Sequence, residues 1–234
     1  CALAGAVGPS ERAALARGLA AAGVARSVRV ISDAEAALHD AFGATGAGIL
    51  LIAGTGSIAL ARRADRTLVR VGGWGMLLGD EGSGYAIGLA AARIVARAHD
   101  GRAEATALTP VVLDHAGVRT PLDLIAWSAR ATKRHIAALA PAVLALASRD
   151  AAAMRIQQDA VAALIELVAS AARRSAGQGE AALDVALAGS LLAPGGPLRD
   201  PVGQALAAPP LELRLEDRAV DAARGAARLA SEGQ

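Results

Sequence analysis

Residues 48–63 read GILLIAGTGSIALARR, and this stretch decides the fold class. Its first six residues form an apolar run that suits a strand buried on both faces. The glycine-rich triplet at 54–56 supplies a tight turn, after which residues 57–63 return as a second strand. A turn at 64–66 and a third strand at 67–71 follow. The pattern predicts an antiparallel meander with a Gly-rich turn near its start.

The chain before this meander alternates strand and helix. Residues 1–7 predict a buried strand, and a helix follows with Ser10 as its expected N-cap. Residues 28–31 predict a β-branched strand and residues 34–41 a second helix. This strand–helix–strand–helix order is typical of α/β proteins.

The chain after the meander is mostly helical. The sequence predicts, in order, a glycine-dense connection (72–84), a helix (85–100), an almost wholly helical region (104–176), a strand ending before Gly189 (184–188), a last strand (211–215) and a helix capped by Asp217 (218–230).

Composition excludes several function classes. Hydrophobic residues make up 54% of the 234 residues and the formal net charge is +2, with no basic run interleaved with aromatics. A nucleic-acid groove is therefore not expected. The uncharged run 41–61 is long enough for a membrane span, but its five glycines favour strands and turns, so no membrane partner is expected. The single cysteine, Cys1, allows no internal disulfide and fits a cytoplasmic location.

The turn at Gly54, Thr55, Gly56 and Ser57 is a candidate phosphate-binding site. Two glycines leave backbone N–H groups able to face an anion, and the two hydroxyls add donors. The alternative is an ordinary hairpin turn. No Gly-Lys-Ser/Thr follows, so this is not a Walker A loop, and it leads into a strand, unlike a dinucleotide-binding fingerprint.

The glycine-dense connection holds six glycines in thirteen residues, together with Trp74 and Asp80. An indole face and a carboxylate in such a loop suit a sugar, because the ring stacks and the carboxylate accepts hydroxyl hydrogen bonds. The alternative is a structural crossover with surface acids.

Asp33 lies where a strand gives way to a helix. It is either a helix N-cap, the commoner role, or a carboxylate that acts as base toward an attacking hydroxyl. Gly189 and Ser190 end a strand and could let a nucleobase lie against the backbone. The four histidines have no metal-ligand spacing, so no protein metal site is expected.

The order of these segments resembles the N-acetylglucosamine kinases and the related BadF-type ATPases of the hexokinase–actin superfamily. IAGTGSIA resembles the family's second phosphate loop, GGWGMLLGDEGSGYAIG its most distinctive motif, ISDAEAAL the stretch that carries its catalytic Asp, and ALAGSLL its adenosine motif. The resemblance covers nearly the whole chain.

The resemblance implies a two-lobed α/β fold of ribonuclease-H-like sheets and a kinase that uses ATP with Mg²⁺ on an amino sugar, N-acetylglucosamine or glucosamine, at the 6-hydroxyl. Members often dimerise, so a homodimer is also expected. The implied domains are 1–46, the remainder of the first lobe, 47–216, the second lobe with a helical insertion, and 217–234, a C-terminal helix. The implied roles are base for Asp33, ATP-phosphate binding for Gly54, Thr55, Gly56 and Ser57, adenosine packing for Gly189 and Ser190, and sugar binding for Gly72, Gly73, Trp74 and Asp80.

Two departures from the family pattern change these expectations. Ile58 stands where animal members carry a sugar-contacting Asn, so recognition of an N-acetyl amide is not implied. The family opens with an Asp-Gly-Gly-Gly-Thr hairpin that binds phosphate and Mg²⁺, and this motif is absent here. CALAGAV resembles the strand after that hairpin, so an incomplete first lobe and impaired phosphoryl transfer are expected.

Two other functions remain open. A dehydratase-activator ATPase of the BadF type would need cysteines for a shared iron–sulfur cluster, and only Cys1 is present. A non-catalytic sensor of sugar or nucleotide would keep the binding loops without turnover.

Overall fold

The computed structural model describes residues 1–3, 8–25, 27–176 and 183–232. The strands are β1 (Ala2–Leu3), β2 (Ile31–Ser32), β3 (Gly48–Ala53), β4 (Ser57–Arg62), β5 (Leu68–Gly72), β6 (Val185–Ala188) and β7 (Leu215–Glu216). The α-helices are α1 (Pro9–Ala21), α2 (Asp33–Phe42), α3 (Gly84–His99), α4 (Leu108–Ala116), α5 (Leu124–Ser128), α6 (Lys133–Ala137), α7 (Ala140–Leu144), α8 (Ala151–Ser175), α9 (Arg199–Ala207) and α10 (Ala222–Glu232), with a 3₁₀ turn at Pro121–Asp123.

The main sheet has the strand order β5-β4-β3-β6-β7. Strands β3, β4 and β5 form the predicted antiparallel meander, and β3 pairs with β6 in parallel. The register joins Ala53 to Ser57 across the hairpin and Ile52 to Ala188 across the parallel pair. Parallel neighbours end at the same edge of a sheet. The turn at 54–56 therefore lies beside the end of β6.

The core lies on both faces of this sheet, because successive side chains of β3 point to opposite faces. Ile49 and Leu51 pack into the large cluster with the helices of the insertion, chiefly α3 and α8. Leu50 packs on the other face, against α2. The apolar run of β3 is thus buried from two sides, as predicted.

A second, two-stranded sheet joins β1 and β2 in parallel, and α2 follows β2 directly. The C-terminal helix α10 packs along α2. The two helices approach so closely that a Cβ on Gly225 would lie 1.9 Å from the carbonyl oxygen of Ala36. This contact holds α10 against α2, the helix that begins with Asp33.

Several predicted boundaries are wrong for local reasons. Helix α1 is capped by Gly8 rather than Ser10, since Pro9 already occupies its first turn. The last strand is only Leu215–Glu216, because Glu212 has a positive φ of 48° that breaks extended backbone. The final helix begins at Ala222, not after Asp217. Residues 4–7 of the predicted first strand lie outside the described residues.

The uncharged stretch 41–61 forms the end of α2, strand β3, the turn and most of β4. Within the described ranges, no helix has the length and apolar character needed to cross a membrane.

Candidate functional site

A cleft of about 620 Å³ opens between the start of α2 and the β3–β4 hairpin. Of the residues predicted from the sequence, seven line it: Asp33, Gly54, Thr55, Gly56, Ser57, Gly73 and Asp80. The cleft also includes Arg12, Glu35 and Lys133, which sequence reasoning did not single out. Segments far apart in the chain therefore meet in one place.

Asp33 is the first residue of α2 and its side chain is exposed in the cleft. The helix is capped instead by Ser32, whose hydroxyl accepts the amide of Glu35 at 3.1 Å. Glu35 accepts the Ser32 amide in return at 2.9 Å, which completes a capping box. The N-cap alternative for Asp33 is therefore wrong. Its carboxylate accepts only the adjacent amide of Ala34, at 2.9 Å, among the described residues.

Glu35 forms the wall beside Asp33 and is held as a carboxylate. Burial acts to raise its pKa, but hydrogen bonds from the Ser32 amide and hydroxyl and the charge of Arg12 outweigh burial, so the pKa lies below its ordinary value. The Arg12 guanidinium lies 2.7 Å from the Glu35 carboxylate. This ion pair joins α1 to the start of α2.

The β3–β4 turn has a bent backbone that closes on itself through a hydrogen bond from the Gly54 amide to the Gly56 carbonyl, at 2.9 Å. The Gly54 carbonyl accepts the amide of Gly84, the first residue of α3, at 2.8 Å. In the described part of the chain, no group hydrogen-bonds the amides of Thr55 and Gly56. Thr55 is exposed. Backbone amides without a protein partner in a glycine-rich turn are the kind of donor that anion-binding loops use.

Ser57 has a different environment. It is 3% exposed, and its hydroxyl donates to the carbonyl of Glu81 at 2.6 Å. Its amide donates to a carboxylate oxygen of Asp80 at 3.2 Å. Ser57 thus ties the hairpin to the glycine-dense connection, and its predicted contact with phosphate gains no support from this geometry.

Gly189 and Ser190 lie next to the turn but outside the cleft lining. Gly189 has a φ of 88°, and a Cβ there would lie 2.3 Å from the Ala53 carbonyl oxygen. A Cβ on Gly54 would lie 3.6 Å from the Ser190 hydroxyl. The end of β6 therefore continues the surface formed by the turn, as the strand register requires.

Asp80 is 3% exposed and adopts a φ of 64°, a left-handed conformation that few residues other than glycine occupy. This conformation places its carboxylate under the hairpin, with Oδ2 2.6 Å from the ammonium of Lys133. Lys133 begins α6, whose N-cap Thr132 accepts the amide of His135 at 3.2 Å. One sequence signal could have drawn attention to Lys133, because it is the only lysine in the chain.

The remaining predicted sugar contacts are less close to the cleft. Gly73 lines it, whereas Gly72 packs against the side chain of Leu167, with a φ of 74°. Trp74 is 72% exposed and does not line the cleft. Its contact with a sugar stays a prediction.

Comparison with known proteins agrees with this architecture. The chain is 41% identical over 112 residues, which is 47% of its length, to an N-acetylmuramic acid/N-acetylglucosamine kinase of Clostridium acetobutylicum. It is 43% identical over 81 residues, or 35% of its length, to an N-acetyl-D-glucosamine kinase of Dictyostelium discoideum. These matches span 36% and 25% of the two relatives.

Two solved structures share the fold. A candidate N-acetylglucosamine kinase from Chromobacterium violaceum superposes with a TM-score of 0.71 and 34% identity, over 85% of this chain and 64% of that one. A second, from Porphyromonas gingivalis, gives a TM-score of 0.72 at 21% identity, over 99% and 76% of the two chains. The α/β fold class of the actin and hexokinase ATPases predicted from the sequence is confirmed.

The family resemblance is also confirmed. The sequence profile of the BadF/BadG/BcrA/BcrD ATPase family matches residues 11–208, well over half of the 234 residues. That range contains the carboxylate at the start of α2, the hairpin turn and the glycine-dense connection. The chain belongs to the BadF/BadG/BcrA/BcrD ATPase family.

Proposed function

We propose that this protein transfers the γ-phosphoryl group of ATP to a hydroxyl of an amino sugar. The observation that carries the proposal is the shared cleft. One space of about 620 Å³ holds Asp33, an exposed carboxylate that has no capping role, and a turn in which the amides of Thr55 and Gly56 have no hydrogen-bond partner among the described residues. Phosphoryl transfer needs a carboxylate near the attacking hydroxyl and donors around the phosphates.

The nucleotide would bind along the edge where β3 and β6 end. The amides of Thr55 and Gly56 and the Thr55 hydroxyl would hold phosphate oxygens. The backbone at Gly189 and Ser190, which adjoins Gly54, would lie against the adenosine. Glycine at 189 allows the end of β6 to approach β3 this closely, because a Cβ there would lie 2.3 Å from the Ala53 carbonyl oxygen.

The sugar would lie between Asp33 and the glycine-dense connection. Asp33 would accept the proton of the attacking hydroxyl, for which we propose the 6-hydroxyl, as that hydroxyl attacks the terminal phosphate. Gly73 would line the sugar site, and the Asp80 carboxylate would accept hydroxyl hydrogen bonds. Trp74 would reach the sugar only by movement of its exposed loop.

The acceptor is proposed as N-acetylglucosamine or glucosamine. The curated relatives are named as kinases of N-acetylglucosamine, one of them also of N-acetylmuramic acid. In this chain Ile58 lines the cleft, where it offers methyl groups and no hydrogen bond. An apolar side chain there fits an acceptor whose 2-substituent needs no polar partner at that position.

Mg²⁺ would enter with the nucleotide. The described residues contain no group of three or more His, Cys, Asp or Glu side chains that could hold a metal. Asp80 and Glu35, the other carboxylates of the cleft, are paired with Lys133 and Arg12. Mg²⁺ usually keeps several waters and binds through phosphate oxygens with only one or two carboxylates. The described residues therefore do not form a magnesium cage of their own.

We further propose the domain division 1–46, 47–216 and 217–234. The main sheet and the helical insertion fall in the second segment. Helix α10 of the third segment packs on α2 of the first.

The test is an ADP-release assay with Mg²⁺-ATP and four acceptors: glucosamine, N-acetylglucosamine, N-acetylmuramic acid and glucose. It is run on the 234-residue chain and on the complete product of its gene. We expect acceptor-dependent ADP release with an amino sugar and little with glucose. ADP release that is independent of every acceptor would reject the amino-sugar kinase and favour an ATPase. No ADP release from either protein would favour a sensor or another acceptor.

A further inference from the structure

Lys133 is the only lysine among the 24 basic residues that are Lys or Arg. Its side chain reaches into the cleft from α6, in the helical insertion. Every other cationic side chain of the lining, namely Arg12 and Arg70, is an arginine. The chain thus uses an ammonium at one position only, and that position faces the hairpin turn.

The ammonium lies against the turn itself. A Cβ on Gly56 would be 3.0 Å from Nζ of Lys133 and 2.5 Å from an oxygen of Asp80. The Lys133–Asp80 ion pair therefore occupies the space directly over Gly56. Phosphate oxygens bound to the amides of Thr55 and Gly56 would lie within reach of the same ammonium.

The two members of the ion pair differ in exposure and in freedom to move. The Asp80 side chain is 4% exposed and its Oδ1 accepts the Ser57 amide at 3.2 Å, whereas the Lys133 side chain is 32% exposed. A lysine carries four rotatable methylene units and a compact charge that can exchange partners. Of the two groups, Lys133 is the one that can leave.

We propose that Lys133 is a phosphate-binding residue that changes partner when substrates bind. Without nucleotide its ammonium neutralises Asp80. With ATP bound it turns to the phosphate oxygens at residues 54–56, and the released Asp80 carboxylate accepts hydroxyl hydrogen bonds from the sugar. The proposal rests on the proposed function, and it couples the two substrates, because each releases a group that the other needs.

The first test measures nucleotide affinity by calorimetric titration with ATP, with inorganic tripolyphosphate and with adenosine. We expect Lys133→Met to weaken ATP and tripolyphosphate binding about ten- to a hundred-fold, the effect of one charge-assisted hydrogen bond. Adenosine binding is expected to stay unchanged. Arg134→Met is the matched control, because Arg134 is the exposed neighbour on α6 and does not line the cleft.

Removing Lys133 alone leaves Asp80 buried without a cation, which can destabilise the fold. The double variant Lys133→Met/Asp80→Asn removes both charges and keeps the test interpretable. It is expected to fold and to show the same loss of tripolyphosphate affinity. Lys133→Arg keeps the positive charge and is expected to retain part of the tripolyphosphate affinity that Lys133→Met loses.

A second test uses the uniqueness of this lysine. Acylation of the unmodified protein with an amine-reactive ester should label Lys133 and the N-terminal amine, which peptide mapping separates. We expect ATP and tripolyphosphate to slow labelling of Lys133, and adenosine to leave it unchanged.

Parent-like tripolyphosphate affinity in both Met variants, or no binding of ATP by the parent protein, would overturn the proposal. Nucleotide binding that depends on Lys133 without sugar turnover would instead reject only the kinase function.

Discussion

Replacing Gly225 by alanine sets two effects of opposite sign against each other. Alanine favours a helix over glycine by about 0.5–1 kcal/mol, and Gly225 lies within α10. The new Cβ, however, would lie 1.9 Å from the carbonyl oxygen of Ala36, about 1.5 Å inside ordinary contact. The obstacle is backbone, so it cannot rotate away, and overpacking of this kind costs about 1–3 kcal/mol or more.

The steric cost of the new Cβ is expected to exceed the gain in helix propensity, so Gly225→Ala should lower the free energy of unfolding by about 1–2 kcal/mol. Urea denaturation followed by circular dichroism measures this. Gly18→Ala is the matched control, since Gly18 lies in α1 with no atom within 4 Å of a built Cβ. That change should raise the free energy of unfolding by about 0.5–1 kcal/mol. If Gly225→Ala is as stable as the parent protein or more stable, the close packing of α10 on α2 is refuted.

Two further predictions concern charge and hydroxyl groups. Asp40 is fully buried; burial acts to raise its pKa, but hydrogen bonds from Arg224 and from a main-chain amide hold the pKa below its ordinary value. The stabilising contribution of the Asp40 carboxylate is therefore present above about pH 4 and is lost as the pH falls through the depressed pKa. Asp40→Asn should lower the free energy of unfolding by about 2 kcal/mol at pH 7 and by progressively less in acid. Urea unfolding across this pH range measures the difference. Thr55→Ala should weaken ATP binding several-fold without changing the free energy of unfolding. Ser57→Ala loses a 2.6 Å hydrogen bond and should instead lower the free energy of unfolding by about 1 kcal/mol. The reverse pattern would restore Ser57 as the phosphate contact.

Local sequence patterns predicted the parts of the fold that depend on neighbours along the chain. The apolar run of β3, the three-residue turn and the return of β4 follow from side-chain period and glycine placement, and the structure confirms them. At the start of α2 the same reasoning chose Asp33 as the ordinary cap. The reciprocal bonds of Ser32 and Glu35 decide otherwise, since a capping box places the cap one residue earlier.

The parts that could not be predicted depend on contacts distant in sequence. Lys133 meets Asp80 across 53 positions, because the helical insertion folds back over the hairpin. The contact of α10 with α2 joins the two ends of the chain, and Gly225 shows no local signal for it. The family pattern named Trp74 as a sugar contact, yet its exposed position depends on how the whole glycine-dense loop is held.

The central claim is that phosphoryl transfer takes place in the cleft between Asp33 and the turn at 54–56. The most direct measurement compares turnover of the best acceptor in the complete gene product carrying Asp33→Asn with the same product carrying Asp159→Asn, an exposed carboxylate on α8 outside the cleft lining. The account predicts a fall in kcat of about 10²–10⁴ for Asp33→Asn, with ATP binding retained, and parent-like turnover for Asp159→Asn. Turnover by Asp33→Asn within a few-fold of the parent protein would contradict it.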